Sequence, residues 1–151
     1  MRIKPFRFLL DTNVISETVR LSPNKYVAQW LCTTNLNNCY LSVVTLGEIR
    51  KGVVKLRDDE RKQALLKWLE DDLPNQFDGR IIEIDKDIAN KWGHVMSVYK
   101  TPQIDALLAA SALERGFALA TRNTKDFINI PELELVNPWM VVCNGSSPGD
   151  L

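Results

Sequence analysis

Four carboxylates carry the chemistry that this sequence suggests: Asp11, Glu48, Asp105 and Asp126. Asp11 cuts off the apolar run Phe8-Leu9-Leu10, and Thr12-Asn13-Val14-Ile15-Ser16 follows. The pattern predicts a strand over about Phe6–Leu10, a tight turn at Asp11-Thr12 and a helix from Asn13, whose side chain can accept a bond from an orphan N–H of the first turn. Asp11 then sits at the carboxyl end of a strand, where open α/β sheets keep their ligand sites. Asp105 lies in Ile104-Asp105-Ala106-Leu107-Leu108-Ala109-Ala110, which is apolar on nearly every face and predicts a buried helix. An acid there must be paired, hydrogen-bonded or bound to a cation, or else owe its place to the positive end of the helix dipole. Asp126 follows the apolar run Phe117–Thr121 and belongs at the same sheet edge, unless it only shapes a turn. Glu48 lies off the Leu46/Ile49/Val53 stripe of its helix and shares a face with Val44, Thr45 and Gly52; taken alone it reads as a solvated helix acid. Together these acids come from two strand ends and two helices and can converge on one point. Hard oxygen ligands of that kind suit Mg²⁺ or Mn²⁺, not zinc.

Other chemistries find less support. The lone His94 has no Ser, Cys or His partner in a recognisable pattern, and no glycine series forms a phosphate-cradling loop. Cys32, Cys39 and Cys143 fit no ligand spacing and read as free thiols in a reducing compartment. With 19 basic and 19 acidic residues the formal net charge is zero, which gives no support for broad nucleic-acid binding but allows a local basic patch. No segment is apolar long enough to span a bilayer and the N-terminus carries no signal-peptide core, so the expected location is the cytoplasm.

The elements that must position the acids follow from periodicity and punctuation. Helices are predicted over Asn13–Arg20, Lys25–Thr33, Val43–Leu56, from Asp58 to a stop at Pro74, from an Asp85 cap to Tyr99, and from Pro102 at the first helical position to Arg115, ending at Gly116. Strands are predicted at Cys39–Ser42, Arg80–Ile84, Phe117–Thr121 and Leu133–Val136. Alternating strands and helices with one extra helical pair argue for a three-layer α/β/α sandwich around a mostly parallel sheet. Residues 1–140 read as one domain and 141–151 as a loose tail.

Several stretches, in order, resemble the PIN-domain family, in particular VapC toxins and the similar FitB group. Leu9-Leu10-Asp11-Thr12-Asn13-Val14-Ile15-Ser16-Glu17 is similar to the family's opening. Leu41 to Gly52 resembles its second motif, with Glu48 as the acid, and Ile104 to Ala112 its third, with Asp105. Ala120-Thr121-Arg122-Asn123-Thr124-Lys125-Asp126-Phe127 is similar to the fourth, and Asn137-Pro138-Trp139 to the usual end of the domain. The resemblance implies a metal-dependent ribonuclease, the toxin of a type II toxin–antitoxin pair, as a homodimer whose antitoxin is a small DNA-binding protein of the VapB kind that obstructs the acidic site. Many relatives carry an acid where this chain has Asn123, so the fourth acidic role either shifts to Asp126 or is weaker here.

On this reading Asp11, Glu48 and Asp105 hold Mg²⁺ directly or through water and Asp126 completes the set. Thr12, Asn13, Ser42, Thr121 and Asn123 are placed to orient carboxylates and water. Arg50 and Arg122 are the nearest candidates in the sequence for RNA phosphates. Two alternatives stand beside it: a PIN-like RNA- or protein-binding module with weak or no catalysis, and an aspartyl-phosphate enzyme, for which Asn13 stands where a second acid is usual.

Overall fold

A computed structural model describes residues 6–140; the expected tail over 141–151 lies outside the described residues. The chain runs β1 (Phe8–Leu10), α1 (Thr12–Glu17), α2 (Lys25–Thr33), β2 (Cys39–Ser42), α3 (Val43–Val53), α4 (Asp59–Lys67), α5 (Leu73–Gln76), β3 (Ile81–Ile82), α6 (Lys86–Val98), α7 (Gln103–Arg115), β4 (Ala118–Ala120) and β5 (Leu135–Val136). The five strands form one sheet in the order β3-β2-β1-β4-β5, and every pairing is parallel. No helix among the described residues is long and apolar enough to cross a membrane.

Alternation along the short strands sends successive side chains to opposite faces, and both faces are covered. Leu9 and Leu119 pack with Ile88, Val95, Leu108 and Phe127 beneath α6 and α7. Leu10, Leu41 and Ala120 pack on the other side with Val14, Val27, Ile49, Leu69 and Leu73, from α1 to α5. The predicted three-layer sandwich is therefore the observed one. Alanines 106, 109, 110 and 112 are fully buried on α7, and their small side chains let that helix lie close against its neighbours.

Element boundaries differ where side chains rewrite local rules. The first helix starts at Thr12, one residue before the expected Asn13, because the Asp11 side chain is its cap. The α3 helix ends at Val53; Lys55 and Leu56 N–H groups reach back only three residues, tightening the last turn. The helix expected to stop at Pro74 passes it. Between α4 and α5 a wide π turn covers Trp68–Asp72, with the Leu73 N–H donating to the Trp68 carbonyl. That turn opens the ladder just ahead of Pro74, whose ring would otherwise press on the carbonyl four residues back. The edge strands β3 and β5 are two residues each, shorter than the ranges Arg80–Ile84 and Leu133–Val136.

The chain order matters for function. From β1 it moves outward to β2 and β3, then returns to the other side of β1 for β4 and β5. The switch point therefore lies at the carboxyl ends of β1 and β4, where the crevice of an open parallel sheet forms. Leu119, in the central pair of strands and fully buried, is one of the side chains that hold this edge together. Leu119→Ala is expected to cost about 2–5 kcal/mol, read as a lower urea midpoint at an unchanged slope.

Candidate active site at the sheet switch point

The β1–β4 register pairs Leu9 with Leu119 and Leu10 with Ala120, so the next residues, Asp11 and Thr121, leave the sheet side by side. The Asp11 N–H extends the ladder by one bond to the Ala120 carbonyl at 2.9 Å. Asp11 is 6% exposed as a residue, and its carboxylate accepts from the Thr12 N–H (2.7 Å), the Thr121 hydroxyl (2.7 Å) and, at longer range, Asn13 Nδ2 (3.4 Å).

These contacts fix one another's polarity. The Thr121 hydroxyl accepts from the Asn123 N–H at 3.0 Å and lies 3.4 Å from Asn13 Nδ2, which leaves its single proton for Asp11. Asn13 Oδ1 accepts from the Arg122 N–H at 3.2 Å, and this orients the amide so that its NH₂ faces Asp11 and Thr121. Asn13, expected as a helix cap, instead ties the first turn of α1 to the segment after β4. Thr12 joins the second acid: its hydroxyl donates to Glu48 Oε1 at 2.6 Å.

Asp105 lies in the first turn of α7. Burial raises its pKa, and Asp11, Asp126 and Glu48 raise it further in that order, to about 6. Each of those three charges is near enough to be felt. Burial also raises the pKa of Asp11; the hydrogen bonds from Thr121 and Thr12 oppose this, Glu48 adds to it, and Asn13 lowers it again. No positive side chain forms an ion pair with any of the four acids among the described residues. Buried Glu17 makes an instructive contrast, since it accepts from the Asn24 N–H and pairs with Arg20. Its charge is matched within the protein; that of the Asp11 group is not.

The remaining expected residues fall in different places. Asp126 ends a single 3₁₀ turn, Thr124–Asp126, and is half-buried; Asn123 is exposed and engages Thr121 through its backbone. Ser42 is fully buried and its hydroxyl accepts from the Val44 N–H, capping α3, with no hydrogen bond to the acids. Arg50 is exposed and pairs with Glu70, because residues two apart on a helix do not share a face and it therefore points away from Glu48. Arg122 lies over the Trp139 ring, 5.2 Å from its centroid, and its carbonyl accepts from Asn137. That link between the segment after β4 and the end of the domain was not visible in the sequence. Nor was a pair of open cavities, about 410 and 230 Å³, that flank Glu48 on either side.

Among the described residues no three His, Cys, Asp or Glu side chains form a ready metal cage. The donors present are nonetheless all carboxylate oxygens, mutually repelling and without a cation of the protein's own. Such an open set fits Mg²⁺, which keeps several waters and takes only one or two carboxylates directly.

Metal-free protein allows a test of the raised Asp105 pKa. Asp105 holds its proton to about pH 6 when folded but only to about 3.8, its ordinary value, when unfolded. Its contribution is therefore present below pH 3.8 and is lost as pH rises through 6. In EDTA, Asp105→Asn is expected to raise the melting temperature relative to the parent more at pH 7.5 than at pH 4. A difference independent of pH would show that Asp105 titrates as an ordinary carboxylate.

Comparison with known proteins places this architecture. Residues 8–133 match the PIN domain. The chain is 37% identical to Toxin FitB of Neisseria gonorrhoeae over 87% of its own length and 97% of that protein's. It is 32% identical to VapC ribonuclease Y4jK of Sinorhizobium fredii over 87% and 96%. The crystal structure of FitAcB from Neisseria gonorrhoeae superimposes with a TM-score of 0.83 at 34% identity, covering 89% of this chain and 99% of that one. FitAB bound to a DNA fragment superimposes at 0.81 with 32% identity, over 91% and 99%. Sequence and fold agree over nearly the whole described chain: it belongs to the PIN-domain family, alongside the FitB and VapC toxins.

Proposed function

We propose that this protein is a Mg²⁺-dependent endoribonuclease (Mn²⁺ serving as well), the toxin of a type II toxin–antitoxin pair, which hydrolyses RNA phosphodiesters at the Asp11 site. The observation that carries the reading is the buried Asp11 carboxylate at the switch point, held by three uncharged donors, tied through Thr12 to Glu48 and paired with no cation among the described residues. A relative named a toxin and another named a ribonuclease support the same conclusion.

In this reading Asp11, Glu48 and Asp105 hold the ion directly or through water, and Asp126 completes the set. When bound, the ion offsets the repulsion of the acids, makes a bound water a better nucleophile and stabilises negative charge on the phosphodiester. The chain's own residues supply position. Thr121 and the Thr12 N–H hold the Asp11 carboxylate still, and the Thr12 hydroxyl sets Glu48. Asn13 locks the turn that carries Thr121 and Arg122 to the turn that carries Asp11. Arg122, exposed at the rim, is available to an RNA phosphate.

Solved FitAcB and FitAB structures motivate the partner. We place here a cognate DNA-binding antitoxin of the VapB kind that covers the acidic site, and a homodimer as the toxin's own assembly.

The test is cleavage of a mixed cellular RNA pool by antitoxin-free protein. Discrete fragments are expected with Mg²⁺, none in EDTA, and recovery when Mg²⁺ is restored in excess. Partners that orient metal ligands are worth about 10–100-fold, so Thr121→Val should slow cleavage by about that factor. Asp11→Asn should slow it by more than about 100-fold, while melting no lower than the parent in EDTA. A folded, fully active Asp11→Asn protein would sink this mechanism, and an inactive parent with intact RNA binding would favour the binding-module reading.

A further inference from the structure

The larger cavity beside Glu48 has a makeup that the acidic site does not explain. On α3 and the turn that follows it, Val44, Gly47, Glu48, Lys51, Gly52 and Lys55 recur at steps of three, one, three, one and three and form one continuous stripe. That stripe is the wall of the 410 Å³ cavity, and Ile104, the neighbour of Asp105, closes it from α7. A methyl group added at Gly47 or Gly52 would meet no atom within 4 Å, so neither glycine is needed for internal packing, and both leave the cavity floor open. The four ion pairs among the described residues involve neither Lys51 nor Lys55, whereas Arg50, on the opposite face, is held by Glu70.

We propose that this cavity seats the stretch of RNA adjoining the scissile phosphodiester, with Lys51 and Lys55 on its phosphates and Val44 and Ile104 beneath its sugar and base. The inference rests on the ribonuclease reading and adds a substrate-binding site to it. An acidic centre repels the polyanion it is meant to cut, so cations must stand beside it to hold the strand. Lys51 and Lys55 lie one and two turns beyond Glu48 on its own face, so they are the cations that the fold carries along the wall leading away from the acids. Two flexible lysines in an open channel suit backbone phosphates of any sequence, which position a strand without reading it.

The experiment measures binding of a fluorescein-labelled single-stranded RNA of mixed sequence, over a range of KCl, to protein carrying Asp11→Asn to prevent cleavage. Every phosphate deprived of its cation lowers the slope of log affinity against log salt by about 0.7. Adding Lys51→Gln and Lys55→Gln should weaken binding and lower the slope by about 1.4. A charge-matched control, Lys86→Gln with Lys91→Gln, changes α6 near Asp85 and Gly116 at the opposite sheet edge and should leave the slope unchanged. An unchanged slope in the Lys51/Lys55 variant, or an equal loss in the control, overturns the proposal and leaves the nuclease reading standing. Failure of the Asp11→Asn parent itself to bind RNA overturns both. A change in sedimentation mass on substituting Lys51 and Lys55 would make this face an interface between copies of the chain, and would also overturn the proposal.

Discussion

The structure depends on how it buries one carboxylate without neutralising it. Asp11 lies at the one place in the sheet where the chain reverses its direction of travel, between the carboxyl ends of β1 and β4. Taking a charge out of water is costly unless hydrogen bonds replace those of the solvent. Three donors do so, and all three are uncharged: a backbone amide, a hydroxyl and a side-chain amide. The arrangement makes the buried acid tolerable and leaves its negative charge uncompensated. Glu17, equally buried a helix length away, follows the ordinary route of pairing with an arginine. The difference between these two acids separates a site from a structural ion pair.

Much of the local architecture follows from that arrangement. Thr121 donates its proton to Asp11 because its acceptor positions face the Asn123 and Asn13 donors. Asn13 faces that hydroxyl with its amide nitrogen because its oxygen is held by the Arg122 amide. Asn137 in turn holds the Arg122 carbonyl and, through its own oxygen, the Trp139 N–H. The chain is thus stitched from its first turn to the end of the described domain by neutral polar side chains. Around this scaffold the Thr12 hydroxyl ties Glu48 of α3 to the turn that carries Asp11, while Asp105 lies in the first turn of α7 and Asp126 in the short turn after β4.

The parts of this plan that were legible in the sequence are those set by strong local rules. The Phe8–Asp11 transition identified a strand end, and the apolar surroundings of Asp105 marked it as an acid in need of a partner. The Lys25–Thr33 helix and the Cys39–Ser42 strand have the predicted bounds, and the helix expected from Pro102 begins one residue later, at Gln103 with Pro102 as its cap, and ends before Gly116 as predicted. What escaped was set by competition or by three-dimensional phase. Asp11 and Asn13 are both good capping residues, and only the neighbouring strand decides that Asp11 caps while Asn13 crosses to Thr121. Pro74 reads as a stop unless the π turn before it is known. Arg50 is nearer to Glu48 in sequence than Lys51 or Lys55, yet helical phase puts it on another face. The motifs resembling PIN domains named the four acids; the fold supplies the uncharged donors that hold Asp11.

The central claim is that the acids around Asp11 form one divalent-cation site. Anomalous scattering from crystals of the antitoxin-free protein soaked in Mn²⁺ tests it most directly. A peak within coordination distance of Asp11 and Asp105 oxygens, absent from the Asp11→Asn protein, is the predicted result. No peak there, in crystals of a protein that still cleaves RNA, would contradict it.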